Sequence, residues 1–123
     1  MDGGIVLVKR NAEPFVNDWC LPGGFIEAAE HPAESAAREV FEETGLEVQV
    51  SRLLDASAPG RGINVVILFY EALPVGGNLI AGDDASDARV FKQHELPSNI
   101  AFDLHRQIIH RWFEKAAERE RSR

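Results

Sequence analysis

The chain has 123 residues, 45% hydrophobic and 27% charged, with 20 acidic against 13 basic side chains for a formal net charge of −7. That length supports one domain over residues 1–123, burying roughly two-thirds of its unfolded surface, and a lone cysteine, Cys20, excludes an internal disulfide and a thiolate zinc cluster. The longest wholly apolar run, residues 65–70, is far shorter than the roughly 18 residues of a membrane span; the first residues show no basic start followed by an apolar stretch; and the acidic balance disfavours duplex nucleic acid, which is bound through cationic contacts to phosphate.

The expectation is a soluble, cytoplasmic protein whose partners are small phosphorylated molecules, with a cation screening the charge. In chain order, Asp2-Gly3-Gly4 signals a turn, and residues 5–9 (Ile-Val-Leu-Val-Lys) form a β-rich run leaving it. Residues 11–18 read as loop. Leu21-Pro22-Gly23-Gly24 reads as a turn in which Pro22 holds Leu21 extended and two glycines permit unusual backbone angles. Pro32 suits the first position of a helix, Ala33, Ala36, Ala37, Val40 and Phe41 recur at helical spacing, and Gly45 ends it. Residues 47–54 and 63–71 read as strands separated by the loop Pro59-Gly60-Arg61-Gly62. After an acidic loop over residues 82–87 comes a short strand at 89–91. A final helix carries the apolar stripe Leu104, Ile108, Ile109, Trp112, Phe113 and Ala116 and trails into mixed charge over 114–123. Strands interleaved with two helices define an α/β or α+β layered fold.

On the first helix the apolar residues share one side, while Glu39, Glu42 and Glu43 fall together on the other. Like charges three and four residues apart repel, so a face chosen for stability alone would pair acids with bases. A divalent cation cancels that repulsion, and Mg²⁺ suits it: it takes hard carboxylate oxygens and completes its shell with water and substrate phosphates. A solvated acidic face is the plain alternative.

The surroundings of those glutamates decide between the two. Gly24, Glu30, Arg38-Glu39-Val40, Glu42-Glu43 and Gly45-Leu46 stand at spacings that resemble the Nudix box, with all nine constrained positions filled; chance produces such a match with a probability on the order of 10⁻⁸ to 10⁻⁷. The resemblance extends to the run from Asp18 through Leu21-Pro22-Gly23-Gly24 to Glu27, to Arg10-Asn11-Ala12-Glu13-Pro14, to Ala81-Gly82-Asp83-Asp84 and to Glu95-Leu96-Pro97, all of which look like the ADP-ribose pyrophosphatase-like branch.

The resemblance implies a Nudix-like fold, a mixed β-sheet sandwiched between helices. It also implies a hydrolase that cleaves a nucleoside diphosphate linked to another group by attack of water on phosphorus, with Mg²⁺ or Mn²⁺ required. ADP-ribose, giving AMP and ribose 5-phosphate, is the leading substrate. A nucleoside-triphosphate pyrophosphatase is the alternative, and a non-catalytic nucleotide sensor is disfavoured by the presence of all three glutamates. Glu39 and Glu43 match the positions that usually hold the metal, Glu42 a third ligand, and the Gly23 carbonyl a backbone ligand. Glu30 and Arg38 match a supporting pair that orients loop and helix, as metal ligands require. The family often adds an acid from a later loop; Asp83, Asp84 and Asp87 are available, and Asp84 is the first choice by its distance from the following strand. Arg61 stands as a loop arginine, Trp19 and Phe102 as core aromatics that could also stack on a base, and His31, His94, His105 and His110 receive no role. Two departures stand out. Ala29 occupies a place where the family commonly has glycine, so a positive φ there would be strained. The family's N-terminal strand is also not supplied ahead of residue 5, so a truncated start, a neighbouring subunit in a homodimer or another strand is expected to account for the sheet edge.

Overall fold

The structure, a computed structural model, describes residues 3–60, 62 and 64–122. Among the described residues, five strands, two α-helices and a 3₁₀ turn follow in the order β1 (Ile5–Arg10), β2 (Trp19–Cys20), α1 (Pro32–Thr44), β3 (Leu46–Ser57), β4 (Ile67–Gly77), β5 (Ala85–Phe91), the 3₁₀ turn Gln93–Glu95 and α2 (Asp103–Arg121). The class is the expected α/β one. The strands form two antiparallel sheets, β2-β1-β5 and β3-β4, and the parallel geometry of a mixed sheet occurs among the described residues only at an isolated bridge between Trp19 and Ile100.

β1 takes the middle of its sheet because Leu7 and Val8, 0% and 2% exposed, carry apolar surface on successive, opposite-facing positions, as a strand covered on both sides requires. Leu7 joins Trp19, Phe69, Ile100, Ile108, Ile109 and Phe113 in one core cluster, so β1 of one sheet and β4 of the other meet the same stripe of α2. Burying each of the large side chains contributes roughly 1.5–3 kcal/mol, so that stripe ties the two sheets together. No described helix is long and apolar enough to cross a membrane.

α1 has the expected limits, and both ends are chemically closed. Pro32 occupies the first turn, the His31 ring accepts the Ala33 N–H through Nδ1 at 3.2 Å, and Gly45, at φ 75°, donates its N–H to the Phe41 carbonyl at 2.9 Å. The buried residues of the helix are not its alanines but Ser35, Glu43 and Thr44, and Phe41, on the apolar side, is 52% exposed. The cause lies at the C-terminus of α1, where the chain passes directly from Gly45 into β3. There the segment 80–82 crosses the last turn, with Ile80 N–H on the Thr44 carbonyl (2.8 Å) and Gly82 N–H on the Glu43 carbonyl (3.1 Å).

Elsewhere the boundaries shift. The β3–β4 hairpin is longer than expected, reaching Ser57 and Gly77 with three register irregularities that bend it. Residues 64–66 precede β4 without regular structure, while Arg61 and Ile63 lie outside the described residues. β5 begins at Ala85, which places Asp87 in a strand instead of the acidic loop, where its carboxylate pairs with Arg89 at 2.8 Å. Residues 21–24 run irregularly, without a turn, and neither Gly23 nor Gly24 takes a positive φ. Ala29 does take one, at 65°.

Candidate active site

Three segments converge at the polar side of α1. The first is the helix itself, which carries Arg38, Glu39, Glu42 and Glu43. The second is the strip from Leu21 to Glu30. Within it, Gly24 passes so close to Glu39 that a Cβ there would stand 2.6 Å from the carboxylate. Close approach, not backbone freedom, is therefore what calls for glycine at 24. The third is the 80–84 segment. Gly82 lies against the α1 backbone, where a Cβ would meet the Glu42 carbonyl at 2.7 Å, and the next residue, Asp83, adopts φ 54°, a left-handed conformation that aspartate tolerates better than most residues. The outcome is that one carboxylate oxygen from each of Glu39, Glu42 and Asp83 lies within 4.8 Å of the others.

Arg38 organises the rim. Its guanidinium forks onto Glu30, with Nε donating to Oε2 at 2.7 Å and Nη2 to Oε1 at 3.1 Å, while Nη1 donates to Glu39 at 2.9 Å and Glu42 at 3.2 Å. Nη2 also reaches the Phe25 carbonyl at 3.4 Å. These bonds hold the Glu30 carboxyl down to about 2, with the Glu27 N–H assisting, and push the Arg38 pKa further up. Part of the repulsion on the helix face is thus relieved by Arg38 itself, and the pair expected between Glu30 and Arg38 is a four-carboxylate network that includes Glu27 at 3.7 Å.

Glu43 sits deeper and does not belong to the trio. Its Oε2 accepts the Gly23 N–H at 3.0 Å, so Gly23 meets the site through its amide hydrogen. Burial pushes the Glu43 carboxyl up to about 8, with the Glu39 and Asp83 charges adding to the effect and the Gly23 bond opposing it. Asp84, the expected auxiliary acid, is not one of the converging three; its carbonyl accepts the Asn11 N–H at 2.9 Å and ties the loop to the end of β1. The reason is positional: once Gly82 is fixed against α1, the carboxylate of the next residue, Asp83, reaches the glutamates, while the backbone carbonyl of Asp84 is taken up by the end of β1.

The donor set fits a hard divalent cation. Three carboxylate oxygens on one spot, a backbone strip kept free of side chain at Gly24, and a guanidinium holding two of the carboxylates in fixed rotamers are what such an ion requires. Bound there, it would supply Lewis-acid stabilisation of charge on phosphoryl oxygens.

His105, given no role from sequence, supports the site from behind: its Nδ1 accepts the Leu21 N–H at 3.1 Å, between the rings of Phe69 and Phe102. The two residues are 84 positions apart, so no local pattern marks the contact. Trp19 is a core residue at 8% exposure, while Phe102 is half-buried beside Phe15 and beneath the Arg10 guanidinium, 5.1 Å from its ring. His31 caps α1.

The NUDIX domain family matches residues 1–113, and the chain belongs to that family. An ADP-ribose pyrophosphatase of Methanocaldococcus jannaschii is 42% identical over 111 residues, which cover 88% of this chain and 64% of the relative. A putative 8-oxo-dGTP diphosphatase of Bacillus subtilis is 29% identical over 104 residues, covering 85% of this chain and 68% of that one. The crystal structure of a NUDIX hydrolase from Nitrosomonas europaea superposes with a TM-score of 0.90 at 28% identity, covering 96% of this chain and 67% of that chain. The chain spans just under two-thirds of the length of the archaeal relative.

Proposed function

We propose that the chain is a Mg²⁺- or Mn²⁺-dependent pyrophosphohydrolase that cleaves ADP-ribose to AMP and ribose 5-phosphate. The observation that carries the reading is the convergence of Glu39, Glu42 and Asp83 on one spot beside Gly24. The likeness to an ADP-ribose pyrophosphatase supports the substrate class. In this reading the three carboxylates hold the cation, with Glu43 alongside. Arg38 and Glu30 are positioning residues: they fix the Glu39 and Glu42 rotamers and shape the strip from Phe25 to Glu30. Gly24 leaves room for a diphosphate to approach Glu39. Water adds at one phosphorus while the bridging P–O bond breaks, and the bridging oxygen leaves with the other phosphate.

A second reading, hydrolysis of a nucleoside triphosphate with release of pyrophosphate, is favoured by the likeness to the Bacillus diphosphatase and uses the same carboxylates. The test is a nucleotide panel incubated with the protein and Mg²⁺, with products identified. ADP-ribose is expected to exceed every deoxynucleoside triphosphate in kcat/KM by at least roughly tenfold, about 1.4 kcal/mol of transition-state binding. Pyrophosphate released from a triphosphate as the main product would establish the second reading instead.

A further inference from the structure

On the far part of α2 the charge reverses. Arg111, Lys115 and Arg119 follow one another at intervals of four residues, which sets them on one helix face, and Arg52 of β3 joins them around a cavity of about 30 Å³ whose lining includes Leu54 and Trp112. None of the residues lining the cavity, which come from β3 and α2, belongs to the carboxylate site on α1 and the 80–84 segment. Three like charges at this spacing destabilise a helix. The helix dipole accounts for cations in the last turn only; Arg111 and Lys115 precede it.

The acids that face the cavity do not balance it. Glu71 on β4 pairs with Arg52 at 3.3 Å and accepts the Trp112 indole N–H at 2.6 Å, and Asp55 on β3 pairs with Arg111 at 3.4 Å. Lys115 and Arg119 make no ion pair within 4.0 Å and no side-chain hydrogen bond among the described residues, although Arg119 lies near enough to Glu71 to lower its pKa. Glu114 and Glu118 lie on the flank of the stripe and do not line the cavity. Four cations against two carboxylates leave an excess of two positive charges around a notch with room for one or two oxygen atoms. A compact dianion matches that geometry, whereas an extended acidic segment would need its cations laid out in a line.

We propose that this notch is a second anion site, one that takes the phosphate group of a small molecule independently of any metal. It does not rest on the hydrolase reading. The full chain, in EDTA to remove divalent ions, is titrated with inorganic phosphate while tryptophan fluorescence and melting temperature are followed; Trp112 lines the notch and reports its filling. A saturable fluorescence change with a rise in melting temperature is expected. Affinity should fall at least tenfold in the Lys115→Gln/Arg119→Gln double variant, whose changes are on exposed helix positions, and should stay unaltered in Glu39→Gln. A response reproduced by sodium chloride at equal ionic strength, a double variant that titrates like the wild type, or loss of binding in Glu39→Gln would each overturn the assignment.

Discussion

Asp83 and Ala29 show how single backbone angles set the chemistry of this site. Asp83 reaches Glu39 and Glu42 from a left-handed conformation at φ 54°, and asparagine tolerates that conformation equally well, so Asp83→Asn removes one charge of the carboxylate trio and keeps the turn. Activity on the best substrate should fall about 10²-fold, while Asp84→Asn should stay within about twofold; equal losses in the two variants would return the loop to an undivided role. Ala29 holds φ 65° where its Cβ is strained, at a cost of about 1–2 kcal/mol. Glycine removes that strain and gives back about 0.4–1 kcal/mol through the greater freedom of the unfolded chain. Ala29→Gly is therefore expected to gain between about 0 and 1.6 kcal/mol in urea unfolding, with kcat unchanged; a loss of stability would mean that the alanine methyl makes contacts worth more than its strain.

α1 and the segment strapped across its end act as one device. The strap satisfies the Glu43 and Thr44 carbonyls that every helix leaves open, and in doing so delivers Asp83 to the glutamates. Glu39→Gln keeps the helix and a bond from Arg38, yet removes the charge of one of the three converging carboxylates. The rate is expected to fall about 10²- to 10⁴-fold, and the rise in melting temperature on adding millimolar Mg²⁺ should shrink relative to wild type. An undiminished Mg²⁺ response in the variant would detach Glu39 from the ion. Much of this device was readable beforehand: the helix limits follow from Pro32 and Gly45, and the acidic face from a 3.6-residue period. What the period could not show was which residue of the Asp83-Asp84 pair joins the glutamates, because that depends on how closely Gly82 packs on α1, where a Cβ would stand 2.7 Å from the Glu42 carbonyl. Nor could it show that Phe41 stays exposed, because a helical stripe marks an apolar face without naming what covers it. His105 was invisible for a related reason: its partner is set by tertiary packing alone.

Across the whole molecule, three buried or bonded groups pull stability in opposite directions with pH, and their balance is measurable in metal-free protein. His105 must be unprotonated at Nδ1 to accept the Leu21 N–H, and burial, with the Arg10 charge, presses its pKa from the usual 6.5 down to about 4. Between those values the unfolded chain binds the extra proton and the folded one does not, so stability present above pH 6.5 is lost on acidification at up to about 1.4 kcal/mol per pH unit. Glu30, held at about 2 by Arg38, adds to the acid loss below pH 4.5. Glu43 works the other way: with its folded pKa raised from 4.5 to about 8, the folded state holds the extra proton, and stability present below pH 4.5 is lost as pH rises to 8. His105 and Glu43 therefore offset each other between pH 4.5 and 6.5, and the wild type in EDTA should be flat there and weaken on either side. His105→Asn keeps an acceptor for Leu21 without titrating, so relative to it the wild type should lose stability only below pH 6.5. Glu43→Gln keeps an acceptor for Gly23, so relative to it the wild type should lose stability as pH rises from 4.5 to 8. Urea unfolding at half-unit pH steps checks both, and curves parallel to the wild type in either variant would show that the group replaced there carries no linked proton.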